Sequence, residues 1–230
     1  MKTLGLIGGM SWESTLPYYQ HINQTVKETL GGLHSAKLIL YSVDFSEIAQ
    51  LQASGQWDAA GAVLAEVARK LAHAGADALV LCTNTMHKVA PAIEAAVTIP
   101  LLHIADPTAQ AIQQAGLSTV GLLGTRFTME QDFYRDRLER RFDLTVLTPP
   151  PEARNEVHRI IFEELCLGQV NATSQHRLQH IAAQLQTQGA QAIILGCTEL
   201  AMSLQAQHLS LPLFDTTALH ARSAALWALS

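Results

Sequence analysis

The sequence predicts an α/β fold of two pseudo-symmetric halves, each a parallel sheet flanked by helices, with the active site in the cleft between them. Three observations lead there. Short apolar runs alternate with helical stretches along the chain, and runs apolar on both faces suit a parallel sheet covered by helices. The later part of the chain then repeats the plan of the earlier part. "KTLGLIGG" (Lys2–Gly9) returns as "STVGLLGT" (Ser118–Thr125), "GADALVLCTNTMH" (Gly75–His87) as "GAQAIILGCTEL" (Gly189–Leu200), and "IPLLHIAD" (Ile99–Asp106) as "LPLFDTT" (Leu211–Thr217). The offset is nearly constant: 116 between Gly5 and Gly121, 114 between Thr83 and Cys197, 112 between Pro100 and Pro212. Finally, polar residues follow the repeated strands, at the carboxyl ends where open parallel sheets bind their ligands.

Each element has a local reason. Lys2–Gly9 reads as the first buried strand, and Pro17 opens a helix that Gly31 closes. "AKLILYSVDF" (Ala36–Phe45) is a second buried strand. The Ala/Leu/Val-rich stretch Trp57–His73 is a helix stopped by Gly75, and "ALVLCT" (Ala78–Thr83) and Ile99–Asp106 are further strands. In the repeat, Ser118–Thr125, "LTVLTPP" (Leu144–Pro150), "AIILGCT" (Ala192–Thr198) and Leu211–Thr217 take the same places. The run "RDRLERR" (Arg135–Arg141) alternates bases with acids and reads as a solvated helix face. The expected halves are residues 1–104 together with 217–230, and residues 105–216.

Composition narrows the function. The chain has 230 residues, 48% apolar and 15% charged, which fits a compact globule and not a disordered chain. A formal net charge of −5 offers no basic footprint, so neither nucleic acid nor a membrane surface is expected as a partner. The start lacks the apolar core and cleavage site of a signal peptide, and no run approaches the roughly 18 apolar residues of a spanning helix. Cys82, Cys166 and Cys197 form an odd set without CxxC spacing, which predicts free thiols in a cytoplasmic protein.

The chemistry-bearing positions follow from the strand ends. "GLIGGMS" (Gly5–Ser11) lacks both the GxGxxG spacing and an acid about 20 residues on, so a dinucleotide turn is not expected; a tight turn whose backbone N–H groups approach a carboxylate is. Cys166, within "IIFEELCLG" (Ile160–Gly168), and Cys82, inside an apolar run, read as structural. Cys197 follows a glycine and precedes two polar residues at a strand end, where loop position and backbone donors are expected to lower its pKa from about 8.5. The ten histidines show no HxH or HExxH spacing, so no metal is expected. His87, His103 and His220 lie nearest strand ends, and a Cys197–His220–Asp215 triad can be drawn on paper only. Asp106 and Asp215 follow echoing strands, as orienting groups or helix caps.

On "GLIGGMSWEST", "LCTNTMH" and "LGCTEL", with "GTRFTMEQDFY" (Gly124–Tyr134) and "IIFEELCLG" in support, the whole chain resembles the cofactor-independent aspartate/glutamate racemase family, in particular bacterial members acting on L-Asp and L-Glu or more broadly. The resemblance implies two α/β halves with a cleft between them, an amino-acid substrate, neither pyridoxal phosphate nor metal, and, as family members are often dimers, a homodimer. It also implies that a thiolate removes the Cα proton while a thiol on the opposite side reprotonates the carbanion. Cys197 would take the first role. Asn84, Thr85 and Thr198 would bind the α-carboxylate and ammonium groups, and Met10, Ser11 and Thr125 would close the cleft. At position 83, where the family has cysteine, this chain has Thr83. The family's distal-carboxylate binders are basic, whereas Gln52, Glu163 and Glu164 stand near the comparable places, so Gln52 is expected to donate to either a carboxylate or a neutral side chain. Related decarboxylases and cis–trans isomerases, which act on small dicarboxylic acids with one cysteine, are the alternative.

Overall fold

The apolar runs of the first half become strands β1 (Leu4–Gly8), β2 (Leu38–Ser42), β3 (Ala78–Leu81) and β4 (Leu101–Leu102), joined through helices α1 (Trp12–Leu30), α2 (Phe45–Ala53), α3 (Trp57–His73) and α4 (Ala90–Glu94). These strands pair in the order β2-β1-β3-β4, all parallel. The second half contains α5 (Ala105–Gln114), β5 (Thr119–Gly124), α6 (Arg126–Glu130), α7 (Asp132–Phe142), β6 (Thr145–Leu147) and α8 (Pro151–Glu163). It continues through α9 (Ala172–Thr187), β7 (Ala192–Gly196), α10 (Leu200–Ser203) and β8 (Leu213–Asp215); the last helix, α11 (Thr216–Leu229), packs mostly with the first half. Its strands pair in the order β6-β5-β7-β8, again all parallel. The same order in both sheets is the duplication in structural form. The computed structural model describes the backbone of residues 1–230 and every side chain except that of His208. It divides into two compact units: Met1–Ile104 with His220–Ser230, and Ala105–Leu219.

In the first unit, the two-residue period of the central strands sorts side chains onto two helical layers. Ile7, Leu79 and Leu81 pack with Leu64, Val67, Ala68 and Leu71 of α3. Leu4, Leu6, Ala78, Val80 and Cys82 face the other way, against Tyr18, Ile22 and Val26 of α1 and Ala221, Ala224, Ala225 and Ala228 of α11. Each fully buried Leu, Ile or Val contributes about 1.5–3 kcal/mol relative to exposure, so these layers hold the sheet. In the second unit β5 and β7 are likewise buried. Gly121 repeats Gly5 in function: a Cβ on Gly5 would stand 2.8 Å from Ala76 Cβ, and one on Gly121 would stand 2.7 Å from Ile193 Cδ1 and 2.9 Å from Leu185 Cδ1. In both units the packed neighbours, Leu71 of α3 and Ala76 just after that helix in one and Ile193 of β7 and Leu185 of α9 in the other, leave no room for a side chain there.

Three local expectations are corrected. Ser11, not Pro17, opens the first helix: its side chain caps α1 by accepting from the Ser14 N–H, and Pro17 sits inside the helix, where it cannot donate back to the Glu13 carbonyl. Strand β2 is only partly buried because it lies at the sheet edge, with one pairing neighbour. The face of α7 is not wholly solvated either. Arg137 donates from Nε and Nη2 to the two oxygens of Asp106 at 2.6 and 2.8 Å, and both side chains are about three-quarters buried, at 26% and 24% exposure.

Candidate functional site

In the first unit the candidate residues gather at the carboxyl edge of the sheet. Met10 and Ser11 follow β1, and Thr83, Asn84 and Thr85 follow β3, its paired neighbour. All five are buried. Gly9 takes a φ of 89°, and a Cβ there would stand 2.3 Å from the Val43 carbonyl oxygen. The glycine is therefore required by the close approach of the chain leaving β2. Its N–H donates to Thr15 Oγ1 at 2.8 Å, so this amide serves the start of α1 and not a carboxylate, contrary to the expectation for "GLIGGMS". Gln52, buried on α2, directs its Nε2 at the Met86 sulfur, 2.9 Å away, and its Oε1 has no hydrogen-bond partner among the described residues. One of the two Nε2 hydrogens is thus engaged inside the unit, and the second N–H and Oε1 are the groups left for a substrate side chain.

Behind Thr83 stands a histidine support that the sequence did not disclose. Ile104 N–H donates to His87 Nε2 at 3.2 Å, so the His87 proton sits on Nδ1, which donates to the Thr83 carbonyl at 2.7 Å. His103 packs on this ring with centroids 4.4 Å apart. The neighbouring His220 uses both nitrogens: Nε2 donates to the Leu102 carbonyl at 2.7 Å and Nδ1 pairs with Tyr18 OH at 2.9 Å. Asp215 accepts from the Thr217 and Ala218 amides and so caps α11, while Asp106 is held by Arg137. The groups drawn as a Cys197–His220–Asp215 triad have other employment.

In the second unit Thr125 follows β5, and Cys197, Thr198 and Glu199 follow β7, the strand paired with it; Gly124 and Gly196 are partners in that register. Thr125 caps α6, accepting from the Thr128 N–H at 3.3 Å, as Ser11 caps α1. The thiol is the centre of this edge. Cys197 Sγ donates to Glu199 Oε2 at 2.9 Å, and Thr198 Oγ1 donates to the same oxygen at 2.7 Å. Burial pushes the Cys197 thiol well above its ordinary pKa, and the Glu199 charge pushes it further, with smaller contributions from Cys166 and from the hydrogen bond to Glu199. The expected lowering is therefore reversed, because a desolvated site facing a carboxylate disfavours a second negative charge.

The other two thiols separate. Burial in the apolar layer pushes the Cys82 thiol up, and its Sγ reaches only the Val80 carbonyl at 3.7 Å, so this residue is core. Cys166 lies on a short 3-10 turn, Leu165–Leu167, and is half-buried, near enough to act on the charge of Cys197. Reading it as helix interior missed that approach. Glu164 is bound by Arg159 at 3.0 Å and Ser174 at 2.8 Å, and Glu163 by Arg159 at 3.5 Å. The residue that sequence reasoning misses is Glu199, within "LGCTEL" and beside the thiol. Its signal was the two-residue spacing from the thiol.

Comparison with known proteins bears on this arrangement. The sequence model of the Asp/Glu/hydantoin racemase family matches residues 7–224. The chain belongs to this family. A candidate Asp/Glu racemase from Yersinia pestis shares 59% identity and superimposes with a TM-score of 0.92, covering 100% of both chains. An aspartate racemase homologue from Pyrococcus horikoshii OT3 shares 33% identity with a TM-score of 0.85, also over 100% of both. The broad specificity amino-acid racemase RacX of Bacillus subtilis (strain 168) is 24% identical over 96% of this chain and 95% of its own. The protein is accordingly an amino-acid racemase, an isomerase with a small amino-acid substrate, and the decarboxylase and cis–trans isomerase alternatives are not favoured. Among the described residues of the racemase, no group of three or more His, Cys, Asp or Glu side chains could hold a metal ion, and no helix is long and apolar enough to cross a membrane.

Proposed function

We propose that this racemase interconverts L- and D-aspartate or glutamate without a cofactor, with Cys197 as the principal acid/base. The observation that carries the reading is the buried Cys197 thiol at the carboxyl end of β7, hydrogen-bonded to a carboxylate. Cys197 takes the Cα proton of the L-enantiomer. Thr83 stands on the other side of the reacting carbon, where its hydroxyl hands on a proton from water, being too weak an acid to replace a thiol outright. Asn84, Thr85 and Thr198 hold the α-carboxylate and ammonium groups, and Met10, Ser11 and Thr125 enclose the substrate. Gln52 meets the distal end of the side chain. Being neutral, it accepts amide or hydroxyl side chains as well as carboxylates, which extends the substrate range. The three free cysteines support a reducing, cytoplasmic location, and the enzyme works as a homodimer; cell fractionation and light scattering check these two points.

Chirality imposes a constraint. Free enantiomers have equal energy, so the equilibrium constant is one and the two kcat/KM values are equal, however unequal kcat and KM are separately. The test is incubation of L-Asp and L-Glu in D2O with chiral analysis, for wild type and Cys197→Ser. Deuterium at Cα with inversion, lost in Cys197→Ser, is the expected result. Exchange without inversion reduces the site to one-sided proton exchange, and absence of exchange with every amino acid overturns the reading.

A further inference from the structure

We propose that Glu199 is the proton acceptor for Cys197, forming a carboxylate–thiol dyad that holds one proton between two sites. The inference rests on the reading of Cys197 as the acid/base and adds the group that makes it a base. Three features carry it. Glu199 is 2% exposed, so its carboxylate is buried beside the thiol and not spread over the surface. Its Oε2 lies 2.9 Å from Sγ, within direct transfer distance. The same oxygen accepts from Thr198 Oγ1 at 2.7 Å, which fixes the carboxylate against the sulfur.

The step balances within the dyad. The Sγ–H bond breaks, an Oε2–H bond forms, and the electron pair stays on sulfur; the single negative charge moves from carboxylate to thiolate. The thiolate then uses that pair to form an Sγ–H bond with the Cα proton, and the pair of the broken Cα–H bond stays on Cα and its carboxylate. Reversal of both transfers protonates the carbanion from the same side. A buried thiol facing a carboxylate rests as the thiol, which agrees with the upward displacement of Cys197 by burial and by Glu199. Removing the carboxylate therefore acts in two opposite directions, easing ionisation while deleting the acceptor. Among the described residues, the titratable groups that act on Cys197 are Glu199, beyond the end of its own strand, and Cys166, from the 3-10 turn.

The experiment uses the full chain as wild type, Glu199→Gln and Glu199→Asp. Iodoacetamide labelling of the Cys197 peptide is followed from pH 6 to 10, together with kcat and KM for L-aspartate and L-glutamate. In Glu199→Gln the labelling midpoint falls by about one pH unit or more. At neutral pH kcat falls by about 10²-fold, with KM within about threefold, and then climbs with pH toward the thiol midpoint as hydroxide replaces the missing acceptor. Glu199→Asp keeps the charge one methylene further back and gives an intermediate kcat. An unmoved midpoint in Glu199→Gln overturns the dyad. So does a lowered midpoint with undiminished kcat, and so does a wild-type kcat in Glu199→Asp, which decides the matter even where Glu199→Gln does not fold. A wild type that exchanges no Cα proton overturns the proposed function instead; labelling then still decides whether Glu199 governs the thiol.

Discussion

Gly196→Ala is a sharp test of how the sheet positions the thiol. A Cβ at position 196 would stand 2.6 Å from Leu122 Cδ1 and 2.9 Å from the Leu123 carbonyl oxygen. Carbon pairs sit comfortably at about 3.5–4.0 Å, so the methyl overlaps Leu122 by about an ångström and cannot move away from the backbone oxygen either. Such overpacking costs about 1–3 kcal/mol, and for a chain of this size each kcal/mol lowers Tm by about 2–4 °C. A loss of about 2–12 °C is expected by calorimetry. Because β7 itself must give way, the adjoining Cys197 is displaced, and a misplacement of about 1 Å costs about 10²-fold in rate. Leu122→Val removes the Cδ1 atom and by itself costs about 1 kcal/mol. Combined with Gly196→Ala it relieves the first contact but not the second, so the double variant is more stable than the sum of the singles by about 0.5–1 kcal/mol. Unchanged Tm and turnover in Gly196→Ala, or strict additivity in the double variant, would refute the argument.

Thr83→Cys tests the proposed pairing of Thr83 with Cys197: a thiol is a stronger acid than the hydroxyl, and D-enantiomer turnover rises by about tenfold or more; an equal or lower rate in chiral assays means that Thr83 serves shape alone. Cys82→Ser places a hydroxyl in the apolar layer between β3 and α1, costing about 1–3 kcal/mol in urea titrations, while kcat stays within about twofold because the residue is core. His158 is held below the ordinary histidine pKa by burial and by Arg126, and its Nδ1 accepts the Arg126 N–H at 3.2 Å. The unfolded chain thus takes up this proton first, so stability is full above the unfolded value of about 6.5 and declines as pH falls through it. His158→Phe removes that component from the pH–stability curve, and a curve of unchanged shape contradicts it.

Much of the fold was legible because the signals are local. The apolar runs and the Gly75 stop after Trp57–His73 are statements about neighbouring positions, and the recurrence of Gly5 at Gly121 is such a local pattern met twice. The parallel αβ plan follows from them wherever both faces of a strand must be covered. The strand ends were legible for the same reason: Thr83-Asn84-Thr85 and Cys197-Thr198-Glu199 come where the apolar runs stop. What a side chain meets is a different question. The "RDRLERR" run looks uniformly solvated, yet Arg137 is bound to an aspartate 31 residues earlier. Cys166 looks like any residue of an apolar helix until the chain turns at Leu165–Leu167 and brings it toward a thiol 31 residues later. The histidines are unpatterned in sequence, yet His87 carries the Thr83 carbonyl.

Sequence alone determined that a cysteine stands at one strand end and a threonine at its counterpart, since covalent order and hydrophobic period need no third dimension. Only the tertiary structure decided the state of that cysteine. Backbone donors at a strand end argue for a low pKa, but the fold desolvates Sγ and turns the Glu199 carboxylate onto it at 2.9 Å. Desolvation and charge act through distance and dielectric, and neither is written in residue spacing.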